Sequence, residues 1–245
     1  MNHSYKSLKM LIKTYQTLLP QDCRIFNADS IPPGAKVIAA NHPNVTDTFH
    51  VALAVRDELH TLIMGDVFSI PVLGWLLTES GQIPVYAGER GAALKKACDI
   101  LAAGGTLLIY PEAQLNPENR RLKGKSGAVR MSLTTGAPIV PLGIYVPPSC
   151  TRTLRAQPIG RPRQGCWQTE GLCTLYFGEP WLPSDEISEA CDANHIYALT
   201  DQLMGKIYDS SQKAYQEWLR DRTVHPSLHS WQNAFIVRSG VKGIW

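Results

Sequence analysis

The stretch KVIAANHPNVTDTFHVALAVR, residues 36–56, decides the architecture. Lys36 to Ala40 is a short apolar run that reads as a buried strand. A polar turn, Asn41-His42-Pro43-Asn44-Val45, follows it, and Thr46 to Arg56 carries the apolar spacing of a helix. A strand that ends in a polar loop and feeds a helix is the opening unit of an α/β layer fold. Such folds place ligands in the crevice beyond the carboxyl ends of their strands. His42 and Asp47 lie five residues apart in this turn, so the carboxylate can meet the imidazole. An Asp bonded to one ring nitrogen fixes the tautomer and raises the basicity of the other, which makes a general base. The plainer alternative is that the two side chains serve as local caps.

Outward from this unit the alternation continues. His60 to Met64 reads as a strand, and Phe68 to Leu77 as a hydrophobic helix or re-entrant turn broken by Pro71. Gln82 to Tyr86 is a strand, and Gly91 to Ala103 a helix stopped by Gly104 and Gly105. Thr106 to Tyr110 is a buried-type strand. Ser126 to Thr135 is a helix with Ser126 as N-cap, and Pro138 to Val146 and Leu172 to Phe177 complete the strands. The implied fold is α/β, with a mostly parallel central sheet flanked by helices. Pro147 to Gly171, rich in Arg, Pro and Gly, is the longest irregular stretch, of the kind that is functional or mobile. Asp192 to Asp221 is one long helix or two shorter ones. Tyr5 to Leu19 is amphipathic, with Leu8, Leu11, Ile12, Tyr15 and Leu19 on one face and Lys6, Lys9 and Lys13 on another. That helix either lies in a lipid headgroup layer or packs on the body of the protein. The chain reads as one domain over residues 1–245, with its motifs between about 35 and 183 and a helical region and apolar-rich tail over 192–245.

Composition excludes several classes. At 44% hydrophobic and 18% charged, the chain is not mainly disordered. The most apolar stretch, Val67 to Leu77, is interrupted by Ser69, Pro71 and Gly74, and no run approaches the ~18 residues of a membrane span. The N-terminus lacks the apolar core and cleavage site of a secretory signal. Cys23, Cys98, Cys150, Cys166, Cys173 and Cys191 form no CxxC pair, so free thiols in a reducing cytoplasm are expected. Net charge is +3, but between Tyr110 and Arg163 nine Lys or Arg face only Glu112 and Glu118. A focused positive region suits a phosphate-bearing ligand, an acidic partner or an anionic membrane surface. No nucleic-acid partner is expected.

Three more blocks follow the Asn41–Asp47 turn. Gly81-Gln82-Ile83-Pro84-Val85 precedes Arg90, Tyr110-Pro111-Glu112 ends a strand, and Val140-Pro141-Leu142-Gly143-Ile144 is an apolar strand containing a proline. Proline lacks a ladder donor, so Pro141 belongs at an edge, a strand end or a bulge. In this order and spacing the blocks resemble the glycerolipid acyltransferase family, which includes the bacterial 1-acylglycerol-3-phosphate acyltransferases. Asn41-His42 with Asp47 matches the family's N-H-x-x-x-x-D motif, and Tyr110-Pro111-Glu112 its F-P-E-G block. Gly124-Lys125-Ser126-Gly127 looks like its Lys-x-Gly element, and Phe177-Gly178-Glu179-Pro180 like its G-E-P ending.

The resemblance implies an O-acyltransferase of phospholipid biosynthesis with His42 and Asp47 as the catalytic dyad. His42 would take the proton of an acceptor hydroxyl, and Glu112 would position the acceptor. The implied substrate-binding set is Asn41, Asn44, Arg90, Glu112, Arg120, Arg121, Lys125 and Gly127. The co-substrate is acyl-CoA or acyl carrier protein, the acceptor a lysolipid such as lysophosphatidate, and no metal or other cofactor is expected. Attachment would be peripheral, on the cytoplasmic face of an anionic membrane, through the Tyr5–Leu19 helix and the Phe68–Leu77 segment, with the aromatic tail that carries Trp231, Phe235 and Trp245 as a further candidate contact. The chain departs from the family in several places. Asn44 replaces a Ser, Ala113-Gln114-Leu115-Asn116 replaces Gly-Thr-Arg-Ser, and Arg90 lies further from Gly81 than the family's Arg. Leu115 cannot engage an acceptor phosphate as that Arg is thought to, so Arg120 or Arg121 would have to fold back in its place, or the acceptor is a different lysolipid or a hydroxyl without phosphate.

Other readings compete. Gly124-Lys125-Ser126-Gly127-Ala128 approximates the nucleophile elbow of a serine hydrolase, but no strand precedes Ser126. A P-loop would need a Gly where Asn119 stands. His225 and His229 are spaced like zinc ligands but lack a third. A non-catalytic lipid-binding protein of the same fold is the remaining alternative.

Overall fold

Val37 and Ala39 point to one side of a central strand, Ile38 and Ala40 to the other, and two hydrophobic cores grow from that alternation. The computed structural model describes residues 2–156, 163–186 and 192–224. Arg161, Cys191, the His225/His229 pair and the aromatic tail lie outside the described residues.

Nine strands and six α-helices are described: α1 (His3–Leu18), β1 (Gln21–Phe26), β2 (Lys36–Ala40), α2 (Asp47–Ala54), β3 (Leu59–Met64), α3 (Leu73–Glu79), β4 (Ile83–Val85), α4 (Arg90–Ala102), β5 (Thr106–Ile109), α5 (Gly127–Thr135), β6 (Ile139–Tyr145), β7 (Thr151–Ala156), β8 (Arg163–Gln168), β9 (Gly171–Phe177) and α6 (Ala193–Val224). Seven strands form one sheet in the order β1-β9-β6-β2-β5-β3-β4, parallel except where β9 meets β6. Helices cover both faces. Tyr5, Leu8 and Ile12 of α1, Val51 and Ala52 of α2 and Leu77 of α3 share a core with Ile38, Leu108 and Val140. Ala93 and Ala97 of α4, Val129 and Met131 of α5, and Leu203 and Ile207 of α6 share the other with Val37, Leu107 and Ile139. The strands are buried on both faces and therefore read as continuous apolar runs.

Pro141 sits in β6, which is central rather than an edge. Its carbonyl accepts from Gly178, between an isolated bridge at Ile139–Trp181 and the ladder that begins at Leu142–Phe177. Two residues of β6 face three of the partner there, so the missing donor falls at a bulge. Two residues further on, Gly143 lets the backbone of α6 lie directly against β6, where a Cβ would collide with Ser210 and Ser211.

Three expectations are corrected. Two parts of the expected Pro147–Gly171 loop are strands: β7 and β8 form an antiparallel hairpin, pairing Arg152 with Trp167 and Leu154 with Gly165. Strand β1 was not expected at all; it is a polar edge strand created by its pairing with β9. Ser126 precedes α5 without a side-chain capping bond, and its hydroxyl instead accepts from Arg130. The Phe68–Leu77 segment divides into a 3₁₀ turn over Gly65–Ser69 and α3, with Val72 at a positive φ between them. Asp192–Asp221 falls within the single helix α6.

Candidate active site

The carboxyl ends of β2 and β5 are neighbours, and each ends in a polar turn. After β2 the chain leaves through Asn41 and His42 and turns into α2 at Asp47. His42 Nδ1 lies 3.1 Å from Asp47 Oδ2, and the Asn44 backbone N–H donates to the same oxygen at 2.7 Å. Asp47 is fully buried, whereas the His42 side chain is 20% exposed. Its first-turn position lets the carboxylate meet the positive end of α2. The arrangement puts the ring proton on Nδ1, which donates to the carboxylate, and leaves the lone pair on Nε2 at the other side of the ring.

After β5, Tyr110 stacks on the imidazole with ring centroids 3.8 Å apart and planes 13° from parallel. Its hydroxyl is 3.0 Å from Thr48 Oγ1 of α2, so the ring is fixed at both ends. Burial pushes the Tyr110 phenol far above its usual range, so it stays protonated. Glu112 lies two residues on. Its Oε2 accepts the His42 backbone N–H at 3.1 Å and its Oε1 accepts Asn116 Nδ2 at 2.9 Å. Asn116 in turn donates its backbone N–H to the His42 carbonyl at 2.7 Å. His42 is thus held on both sides of its backbone by one closed ring of three residues. Burial raises the Glu112 pKa, partly offset by these hydrogen bonds.

A second chain of bonds secures Asn41. Its amide nitrogen donates to the Ile144 carbonyl and to Asn119, each at 2.8 Å, and its oxygen accepts the Ile144 N–H at 2.7 Å. Asn119 donates onward to Ser211 of α6 at 3.1 Å. The loop after Glu112 makes these contacts by turning twice through the left-handed region, at Ala113 (φ 54°) and Asn119 (φ 50°). The hairpin lies along the other side of the motif turn, where Val45 N–H donates to the Cys166 carbonyl at 2.8 Å.

The remaining expected site residues are spread more widely. Asn44 is buried, and its two side-chain polar atoms find no partner among the described residues. Arg90 opens α4 after the edge strand β4 and is exposed. Arg120 pairs with Glu118, and Arg121 reaches Asp201 of α6 at 2.9 Å, so neither side chain folds back onto Glu112. Lys125 is exposed, though its backbone N–H returns to the Pro111 carbonyl at 2.8 Å and seats Gly127 at the start of α5. The basic region is less unopposed than its sequence suggests, because Asp201 and Glu170 supply countercharges from outside it. Gln82 of the second block bridges β3 and β4, accepting from Thr61 N–H at 2.9 Å and donating to the Leu59 carbonyl, so it supports the sheet.

Tyr110, Asn116 and Asn119 were missed as site residues. In the sequence Tyr110 is a strand end and the first residue of the Tyr-Pro-Glu block, with nothing to indicate that its ring meets His42. Asn116 and Asn119 sit in a polar loop whose return path depends on backbone geometry that no periodicity reports.

A family model for acyltransferases matches residues 22–145, half of the chain. A 1-acyl-sn-glycerol-3-phosphate acyltransferase of Chlamydomonas reinhardtii is 24% identical over 174 residues, 69% of this chain and 49% of that protein. An uncharacterized protein of Mycobacterium leprae is 32% identical over 203 residues, covering 69% of this chain and 53% of the relative. The chain spans about half the length of these curated relatives. The crystal structure of the 1-acyl-sn-glycerophosphate acyltransferase PlsC from Thermotoga maritima has the same fold. It superposes with a TM-score of 0.63 at 19% identity, over 85% of this chain and 79% of that one. With its motif turns at the ends of β2 and β5 and a family match across half its length, the chain belongs to the acyltransferase family.

Proposed function

We propose that the protein is an O-acyltransferase that moves a fatty acyl group from an acyl thioester to a hydroxyl of a glycerolipid acceptor. The observation that carries this reading is the contact between His42 Nδ1 and the buried Asp47 carboxylate. The Nε2 lone pair takes the proton of the acceptor hydroxyl while that oxygen attacks the thioester carbonyl. The tetrahedral intermediate collapses, the C–S bond breaks, and the departing thiolate recovers the proton from His42. A thiol with a pKa of about 8.5, by analogy with cysteine, leaves without a dedicated acid. Tyr110 and the Glu112–Asn116 ring hold the imidazole in place, so Glu112 acts here first as a positioning residue. The donor is acyl-CoA or acyl carrier protein, docked by the exposed basic residues after Tyr110.

Lysophosphatidate is the acceptor suggested by the Chlamydomonas relative's name. A hydroxyl acceptor without phosphate is a second reading, favoured by Leu115 and by the pairing of Arg120 and Arg121 with Glu118 and Asp201. The protein works at a membrane surface. No helix among the described residues is long and apolar enough to cross a membrane. Helix α1 packs inward through Tyr5, Leu8 and Ile12 yet leaves Met10, Leu11 and Leu18 outward, and α3 beside it leaves Trp75 64% exposed. Incubation with labelled acyl-CoA or acyl carrier protein and a panel of lysolipids tests the reading. Acylated lysophosphatidate supports the first acceptor, acylation of phosphate-free lipids alone selects the second, and no acylated product refutes both.

A further inference from the structure

The proposed acyl-transfer step assigns no role to three side chains near the dyad. Cys23 of β1, Cys173 of β9 and His50 of α2 bring two sulfurs and a ring nitrogen within 4.8 Å of one another. The cysteines are register partners on neighbouring parallel strands, so both leave the sheet on the same face. His50, from the first turn of α2, closes over them.

The histidine is oriented as a ligand is. Gln168 donates its amide hydrogens to the carbonyls of Glu170 and Gly171, at 3.2 and 3.0 Å, so its oxygen is the atom facing His50 Nε2 at 2.8 Å. That oxygen can only accept, which puts the imidazole proton on Nε2 and the lone pair on Nδ1. A metal-binding histidine is held in this way, with its other nitrogen donating to a carbonyl-type oxygen. In the free protein the Nδ1 lone pair accepts from Gln16 of α1 at 2.7 Å. Cys173 is buried, and Cys23 is half-buried on the edge strand.

We propose that Cys23, Cys173 and His50 form a binding site for a thiophilic d10 cation, Zn2+ or Cu+, which ties the edge strand β1 to β9 and to the helix that carries Asp47. Two sulfurs and one imidazole suit these ions and disfavour Mg2+ or Ca2+, which require oxygen ligands. Cu+ is satisfied by three such ligands, and Zn2+ takes a fourth from water. Binding exchanges the Gln16 hydrogen bond for a coordinate bond and releases the protons still held by the two thiols. The proposed transfer step uses none of these three side chains, so either proposal can fail alone.

The test uses the full chain, stripped with a chelator, loaded with Zn2+ or anaerobically with Cu+, and desalted before metal analysis. The proposal expects about one ion retained per chain with a raised Tm, and a Cys23→Ser/Cys173→Ser variant that retains less than about a tenth of that. Retention of Zn2+ alone or Cu+ alone identifies the ion. Equal retention by wild type and variant, for both ions, overturns the site. Should the variant not fold, alkylation of the wild type decides. A bound cation is expected to slow iodoacetamide modification of Cys23 by about tenfold or more, leaving Cys98 unaffected, and unchanged Cys23 modification contradicts the proposal.

Discussion

The Glu112 carboxylate accepts the backbone N–H of His42 at 3.1 Å, so the motif after β5 holds the motif after β2 through its main chain. The two blocks are 70 residues apart in sequence. They meet because β2 and β5 are neighbouring parallel strands whose carboxyl ends are level, with Ala39 opposite Ile109.

Asn116 closes that ring, and removing its side chain leaves Glu112 Oε1 and the Arg120 carbonyl without their partner. Asn116→Ala is expected to cost about 1–3 kcal/mol in urea unfolding, the usual penalty for stranding a buried polar group. Acyl transfer should fall mainly in kcat, because His42 loses its orientation while substrate contacts remain. A fall confined to KM would contradict the positioning role.

Glu112 should leave a signature in the pH dependence of stability. Burial raises its folded pKa above that of the unfolded chain, so the folded state binds more protons between the two values. Its contribution is therefore fully present below the ordinary glutamate range and is lost as pH rises through the raised value. The stability of wild type minus that of Glu112→Gln should decline from the ordinary carboxylate range toward neutrality. Urea unfolding at a series of pH values checks this, and a flat difference would count against it.

Ala113 occupies a left-handed conformation, φ 54°, in which its Cβ is unfavourable. Ala113→Gly is expected to leave the fold intact and raise stability by about 0.5–1 kcal/mol, the strain relieved less the entropy that glycine loses on folding. Thermal unfolding that shows a loss of stability would argue against strain at this turn.

The outward apolar residues of α1 and α3 can be removed without touching either core. Leu11→Ser/Leu18→Ser/Trp75→Ser should keep the wild-type Tm within a few degrees while reducing co-flotation with anionic liposomes at least about tenfold. Flotation equal to wild type would place the membrane contact elsewhere.

How much of this was legible in the sequence depended on where each residue's signal originates. The central strands are buried on both faces, so β2, β5 and β6 appear as apolar runs. The His42–Asp47 pair was legible because a five-residue turn brings it together locally. Strand β1 and the hairpin were not: Gln21–Phe26 and Arg163–Gln168 are polar-rich, and long-range pairing makes them strands. The same limit hid the stacking of Tyr110 on His42, and it hid the cluster of Cys23, His50 and Cys173, which comes from three separate elements.

The most direct measurement of the central claim is the single-turnover rate of acyl transfer by His42→Ala, using labelled acyl-CoA and the best acceptor of the lysolipid panel. The variant should unfold at nearly the wild-type temperature and transfer the acyl group at least about 10²-fold more slowly, the scale of a lost general base. Transfer at the wild-type rate would contradict the assignment of His42 as the base.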